Sequence, residues 1–100
     1  MARKTSLTIN NVPIELDYFV GGYFYHVVAG ILASLKGTGT IKNLELDVDG
    51  DDQVRISLNG TNVPLNYFAT DIIHNTLAGM VANLKGVTEK MRTLELRINQ

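Results

Sequence analysis

Asn10-Asn11-Val12-Pro13-Ile14-Glu15-Leu16-Asp17-Tyr18-Phe19 and Asn59-Gly60-Thr61-Asn62-Val63-Pro64-Leu65-Asn66-Tyr67-Phe68 are two versions of one segment, forty-nine positions apart. The match runs without a gap to Gly37 and Gly86. It sets Ala29, Gly30, Ala33, Leu35 and Lys36 on Ala78, Gly79, Ala82, Leu84 and Lys85. One inserted residue then aligns Leu44-Glu45-Leu46 with Leu94-Glu95-Leu96. Two copies of a unit that bury their apolar faces together predict one pseudo-twofold domain spanning 1–100, with internal repeats at 5–49 and 54–99.

Outward from the matched segment, each copy reads as strand, return strand, helix, strand. Leu7 and Ile9 alternate with Ser6, Thr8 and Asn10, while Val54, Ile56 and Leu58 alternate with Arg55, Ser57 and Asn59. A period of two marks a half-buried strand. Asn10-Asn11 and Asn59-Gly60 are two-residue hairpin signals, because both positions tolerate positive φ. Return strands follow over Val12–Leu16 and Thr61–Leu65, where Pro13 and Pro64 confine them to an edge or a bulge. Asp17 and Asn66 are N-caps. Helix ends are expected at Lys36-Gly37 and Lys85-Gly86, a cation followed by a glycine free to adopt the left-handed cap.

The closing strands place Leu44, Leu46, Val48 and Leu94, Leu96, Ile98 inward. The acidic run Val48 to Gln53 joins the copies as a hairpin. The predicted fold is α+β: a two-layer sandwich from a tandem ββαβ repeat, with two helices on one face of an antiparallel-rich sheet. If the return strands are loops, the order becomes βαββαβ and the fold ferredoxin-like.

Rotation by 100° per residue sets Val20, Phe24, Val28, Ile31 and Leu35 on one stripe of the first helix, matched by Ala69, Ile73, Leu77, Met80 and Leu84. These stripes cover the sheet. The opposite faces are not polar. Phe19, Tyr23, His26, Gly30 and Ala33 recur at spacings of four and three, as do Phe68, Ile72, Asn75, Gly79 and Ala82. That is a helix-packing seam. Large residues begin each seam and small ones end it. An antiparallel pairing of the first helix with the second therefore sets large against small, Phe19 on Ala82 through Ala33 on Phe68. Since the seam points away from the sheet, its partner is expected from another copy of the chain.

Other partners are poorly supported. Net charge is -1 and pI about 6.0, without the clustered basic face nucleic acid requires. The outer sheet face (Thr8, Glu45, Asp47, Arg55, Ser57, Glu95, Arg97) has mixed charge and no aromatic pairs to stack on RNA bases. Tyr18 to Leu35 is almost uncharged and nearly as long as a membrane span, but its copy carries Asp71, His74, Asn75 and Asn83, so no membrane partner is expected. Cysteine is absent, which removes disulfides and thiolate chemistry. No signal-like apolar run follows Arg3 and Lys4, and the chain reads as cytoplasmic.

Candidate chemistry is thin. His26 and His74 lie on nearly matching positions, and Asp71 precedes His74 by three residues, sharing its helix face. Tyr25, His26, Asp71, His74 and Asn75 are thus candidates for a small polar ligand pocket at the pseudo-axis. The alternative is that His26 and Asn75 fix register within an apolar seam. Asp47, Asp49, Asp51 and Asp52 around Gly50 resemble a calcium loop, but Leu58 stands where the closing Glu is needed. Gly37-Thr38-Gly39-Thr40 lacks the ending of a phosphate cradle and follows a helix instead of opening one. Asn59-Gly60-Thr61 matches a glycosylation acceptor, which the hairpin turn accounts for. Tyr18 and Tyr67 read as anchors packed over the helix starts. No catalytic constellation, metal site or cofactor motif emerges. The expectation is a homo-oligomeric structural or interaction module, with a small-ligand or metal-binding protein using the His26/His74 region as the alternative.

Overall fold

A computed structural model of the chain describes residues 3–36, 40–84, 86–87 and 89–100. Gly37, Lys85 and most of the Gly37-Thr38-Gly39-Thr40 loop lie outside the described residues. The elements run β1 (Lys4–Ile9), β2 (Val12–Ile14), α1 (Tyr18–Lys36), β3 (Asn43–Val48), β4 (Val54–Leu58), β5 (Thr61–Val63), α2 (Tyr67–Val81) and β6 (Leu94–Asn99). The fold is α+β, with two helices and one six-stranded antiparallel sheet.

Two-residue turns close the β1–β2 and β4–β5 hairpins. Asn10 and Asn11 take φ of 50° and 67°, and Asn59 and Gly60 take 52° and 83°. Both central residues are left-handed, the geometry whose twist matches that of paired strands. The return strands are therefore strands, although each is only 3 residues long. They form the two edges, and at an edge the N–H that Pro13 lacks is not needed to pair a further strand.

The strand order is β2-β1-β6-β3-β4-β5. It corrects the ferredoxin-like alternative, in which the first strand of each unit occupies the sheet centre. Here the last strands, β3 and β6, pair with each other at the centre, and each also pairs with the other half's first strand. At the middle Leu46 faces Leu96. Leu7 faces Leu96 and Ile14, as Ile56 faces Leu46 and Val63.

The helices start where the caps were expected. Asp17 Oδ1 accepts from the Val20 N–H at 2.8 Å, and Asn66 Oδ1 from the Ala69 N–H at 2.8 Å. Their ends differ. Whereas α1 reaches Lys36, α2 stops at Val81, short of Lys85, and continues as turns in which the Leu84 and Val87 N–H groups donate to Val81 O and Leu84 O. Gly86, at φ 89°, lies within the second of those turns.

One face of the sheet is buried by both helices. Leu7, Ile9, Leu44, Leu46, Val48, Val54, Ile56, Leu94, Leu96 and Ile98 meet Phe24, Val28 and Leu32 of α1 and Ile73, Leu77 and Val81 of α2. The expected stripes are corrected at their C-terminal ends. Leu32 and Val81 are buried, while Leu35 is 40% exposed and Met80 and Leu84 are half-buried. A helix apolar on almost every side leaves the phase of its buried stripe undetermined by sequence. The smallest dimension is 18 Å against 35 Å for the other two. That thickness holds a sheet and one helix layer, and among the described residues no element lies above the helices.

Candidate interaction surface

The face of the helix layer turned from the sheet is built from the two seams. All ten seam residues are exposed: Phe19, Tyr23, His26, Gly30 and Ala33 of α1, and Phe68, Ile72, Asn75, Gly79 and Ala82 of α2. Phe19 is 73% and Phe68 72% exposed, Tyr23 and Ile72 each 45%. None of the ten is Asp, Glu, Lys or Arg. Burial of Phe24, Val28 and Leu32 one turn apart fixes this orientation, because the residues half a turn away must then point outward.

The relief of the face is uneven. On the N-terminal half of α1 the Phe19 and Tyr23 rings stack, with centroids 6.0 Å apart and planes 6° from parallel. Tyr23 is braced beneath by the edge of Phe24 at 6.2 Å. The C-terminal half of α1 and the N-terminal half of α2 instead border an apolar groove of about 480 Å³, lined by Val27, Gly30, Ile31, Ser34, Leu35, Phe68, Ala69, Ile72 and Ile73. That lining places the helices side by side and antiparallel.

Gly30 and Gly79 are idle within the chain. Among the described residues, a Cβ built on either would meet no heavy atom within 4 Å beyond its own helix backbone. A glycine inside a helix costs about 0.5–1 kcal/mol relative to alanine. Nothing in the fold's own packing requires that cost.

The polar candidates separate into two pairs. Tyr25 lies edge-on to His26 at 5.1 Å, its ring covered by the Arg3 guanidinium at 4.2 Å and its hydroxyl 3.2 Å from Gln100 Nε2. His74 Nδ1 stands 3.2 Å from Asn75 Oδ1. Its Nε2 stands 3.2 Å from Asp52 Oδ1, at ion-pair distance but off the line of a hydrogen bond, and among the described residues no hydrogen-bond partner reaches this buried nitrogen. The His74 ring thus turns to Asp52, not to Asp71, which is exposed. Arg3 precedes β1 and Asp52 precedes β4, strands with β6 and β3 between them. Among the described residues no three His, Asp or Glu side chains are grouped to hold a metal ion. Neither histidine lines the groove.

In the acidic hairpin Asp49 folds inward on its own turn, accepting from the Asp51 and Gln53 N–H groups at 2.9 and 3.1 Å. Those two backbone bonds, with the Arg55 guanidinium at 3.3 Å, hold its carboxyl below the usual range. Tyr18 and Tyr67 are not packed anchors. They are 96% and 91% exposed.

Three features escaped the sequence reading. Leu35 and Val27 line the groove instead of serving the sheet or the seam. Ile41 and Met91, at equivalent positions before β3 and β6, are buried at 6% and 5%, a match that the repeat alignment would have revealed. Asn10 and Asn59 also do more than turn: their side chains bind the segments entering β6 and β3.

No protein-family model, curated protein or solved structure matches the chain.

Proposed function

We propose that the chain is a self-assembling structural or interaction module, a fused pair of ββαβ units that associates with further copies through the exposed face of its helix layer. The equal registers of the two hairpins, and the meeting of Leu46 with its own counterpart Leu96, support the duplicated, pseudo-twofold reading.

The observation that carries the assembly is the uncovered area. The chain exposes 6469 Å². Folded monomers of its mass, 11.0 kDa, expose about 5,600 Å². The excess of roughly 850 Å² is close to the ~800 Å² that one partner contributes to a standard interface. Its chemistry fits a protein partner: aromatic residues at one end, small ones at the other, and no charge between.

Lipid is the less favoured cover. The window Tyr18–Leu35 has mean hydropathy 1.4 with 17% of it buried, which by length and composition suffices for a span. To cross a bilayer, however, α1 would have to leave the sheet and uncover Phe24, Val28 and Leu32, and α2 beside it carries Asp71, His74 and Asn75.

The test is a charge placed on the face. Ile72→Asp points into solvent in a single copy and should leave the helical circular dichroism intact. It should shift the protein from oligomer to monomer in sedimentation velocity at micromolar concentration. Unchanged sedimentation of Ile72→Asp would remove the helix face as the interface.

A further inference from the structure

The relief of the helix layer narrows what the partner is and how it sits. Two antiparallel arrangements of a face-to-face pair keep large residues against small ones. If the twofold axis runs along the helices, α1 of one copy lies on α2 of the other, and Phe19 meets Ala82. If the axis runs across the helices, each helix lies on its own copy, so Phe19 meets Ala33 and Phe68 meets Ala82. The first arrangement sets groove upon groove and leaves both unfilled. The second exchanges the ends of the layer and brings the stacked Phe19 and Tyr23 of each copy over the groove of the other.

Protein interfaces pack to the density of interiors, and an unfilled apolar groove forfeits contacts along its whole lining. We infer that the partner is a second copy bound as an isologous dimer, in which the stacked Phe19 and Tyr23 of each protomer fill the partner's groove beside Gly30, Ser34 and Ile72. This inference rests on the self-assembly proposed above. It accounts for three observations together. The aromatic stack projects where the same chain offers a groove at the other end of its helix pair. Gly30, in the groove wall, has free space above it that a ring can enter. The chain's total exposed area exceeds that of a compact monomer of its mass by about what one side of a standard interface covers. Both contacts form at once in a closed twofold pair, which leaves no open end to propagate.

The absence of cysteine makes the geometry testable by single thiols. In the inferred dimer the crossing points fall at His26 on α1 and Asn75 on α2, both exposed in one copy. His26→Cys alone and Asn75→Cys alone should each form a disulfide-linked dimer under copper–phenanthroline oxidation, because each thiol faces its own copy. Phe19→Ala should raise the dimer dissociation constant by about tenfold or more, as removal of an aromatic anchor does. Linkage only when His26→Cys is mixed with Asn75→Cys, with dimer mass retained, overturns this arrangement and leaves self-assembly standing. A monomer in sedimentation overturns both, and flotation of that monomer with phosphatidylcholine vesicles assigns the face to lipid.

Discussion

Asn59 shows how much one side chain carries here. Its φ of 52° begins the β4–β5 turn, while its Oδ1 accepts from Lys42 and Asn43 N–H at 2.8 and 2.9 Å and its Nδ2 donates to Thr40 O at 2.8 Å. Asn10 makes the same three bonds with Arg92, Thr93 and Lys90. Each bond contributes about 1 kcal/mol net, and a left-handed alanine costs a further ~1 kcal/mol that glycine does not. Asn59→Ala should therefore lower urea-unfolding stability by about 4 kcal/mol, and Asn59→Gly by about 3 kcal/mol. Equal losses in the two variants would remove the backbone from the explanation. The turn itself was legible, since Asn-Gly between apolar flanks signals a hairpin without any tertiary knowledge. The clamp was not, because Asn59 and Asn43 become neighbours only once β3 and β4 pair.

At the scale of elements, the β3–β4 hairpin carries a pH dependence of known sign. Backbone bonds from Asp51 and Gln53 lower the Asp49 carboxyl below its ordinary 3.8; burial opposes them by less, and the Arg55 charge adds the smallest lowering. A group whose folded pKa is depressed contributes stability that is complete above its unfolded value and is lost as pH falls through the folded one. The protein should lose melting temperature on acidification below 3.8, and Asp49→Asn, which keeps the acceptor oxygen, should lose less across that window. Identical acid slopes for the two proteins would rule out Asp49 as a contributor. The helices offer a second test. Leu32 is 4% exposed and Leu35 40% exposed. Leu32→Ala should cost about 2–4 kcal/mol in unfolding experiments. Leu35→Ala should cost much less in a monomeric background and act mainly on assembly. The sequence located both helices and both N-caps because these depend on near neighbours. It did not fix which of two apolar sides meets the sheet, since Leu32 and Leu35 satisfy the helical period almost equally well.

For the whole molecule, local patterning could not choose the strand order. Every strand alternates correctly in either topology, and only the pairing of β6 with both β1 and β3 distinguishes them. The exposed face of the helix layer was legible for the opposite reason. Residues that the fold leaves exposed keep their helical period without competition from the core, so Phe19 to Ala33 and Phe68 to Ala82 stood out as they are. The proposed assembly makes the glycines diagnostic. Gly30→Ala has no clash within one copy and should raise the helix's own stability by up to about 1 kcal/mol. The same methyl enters the space where a partner packs, so it should weaken association. A variant that melts higher as a monomer yet dissociates more readily would be hard to explain without a close partner at that position. The most direct measurement is multi-angle light scattering behind a sizing column at micromolar concentration. A mass of twice 11.0 kDa is the expected result, and a single species of 11.0 kDa would contradict it.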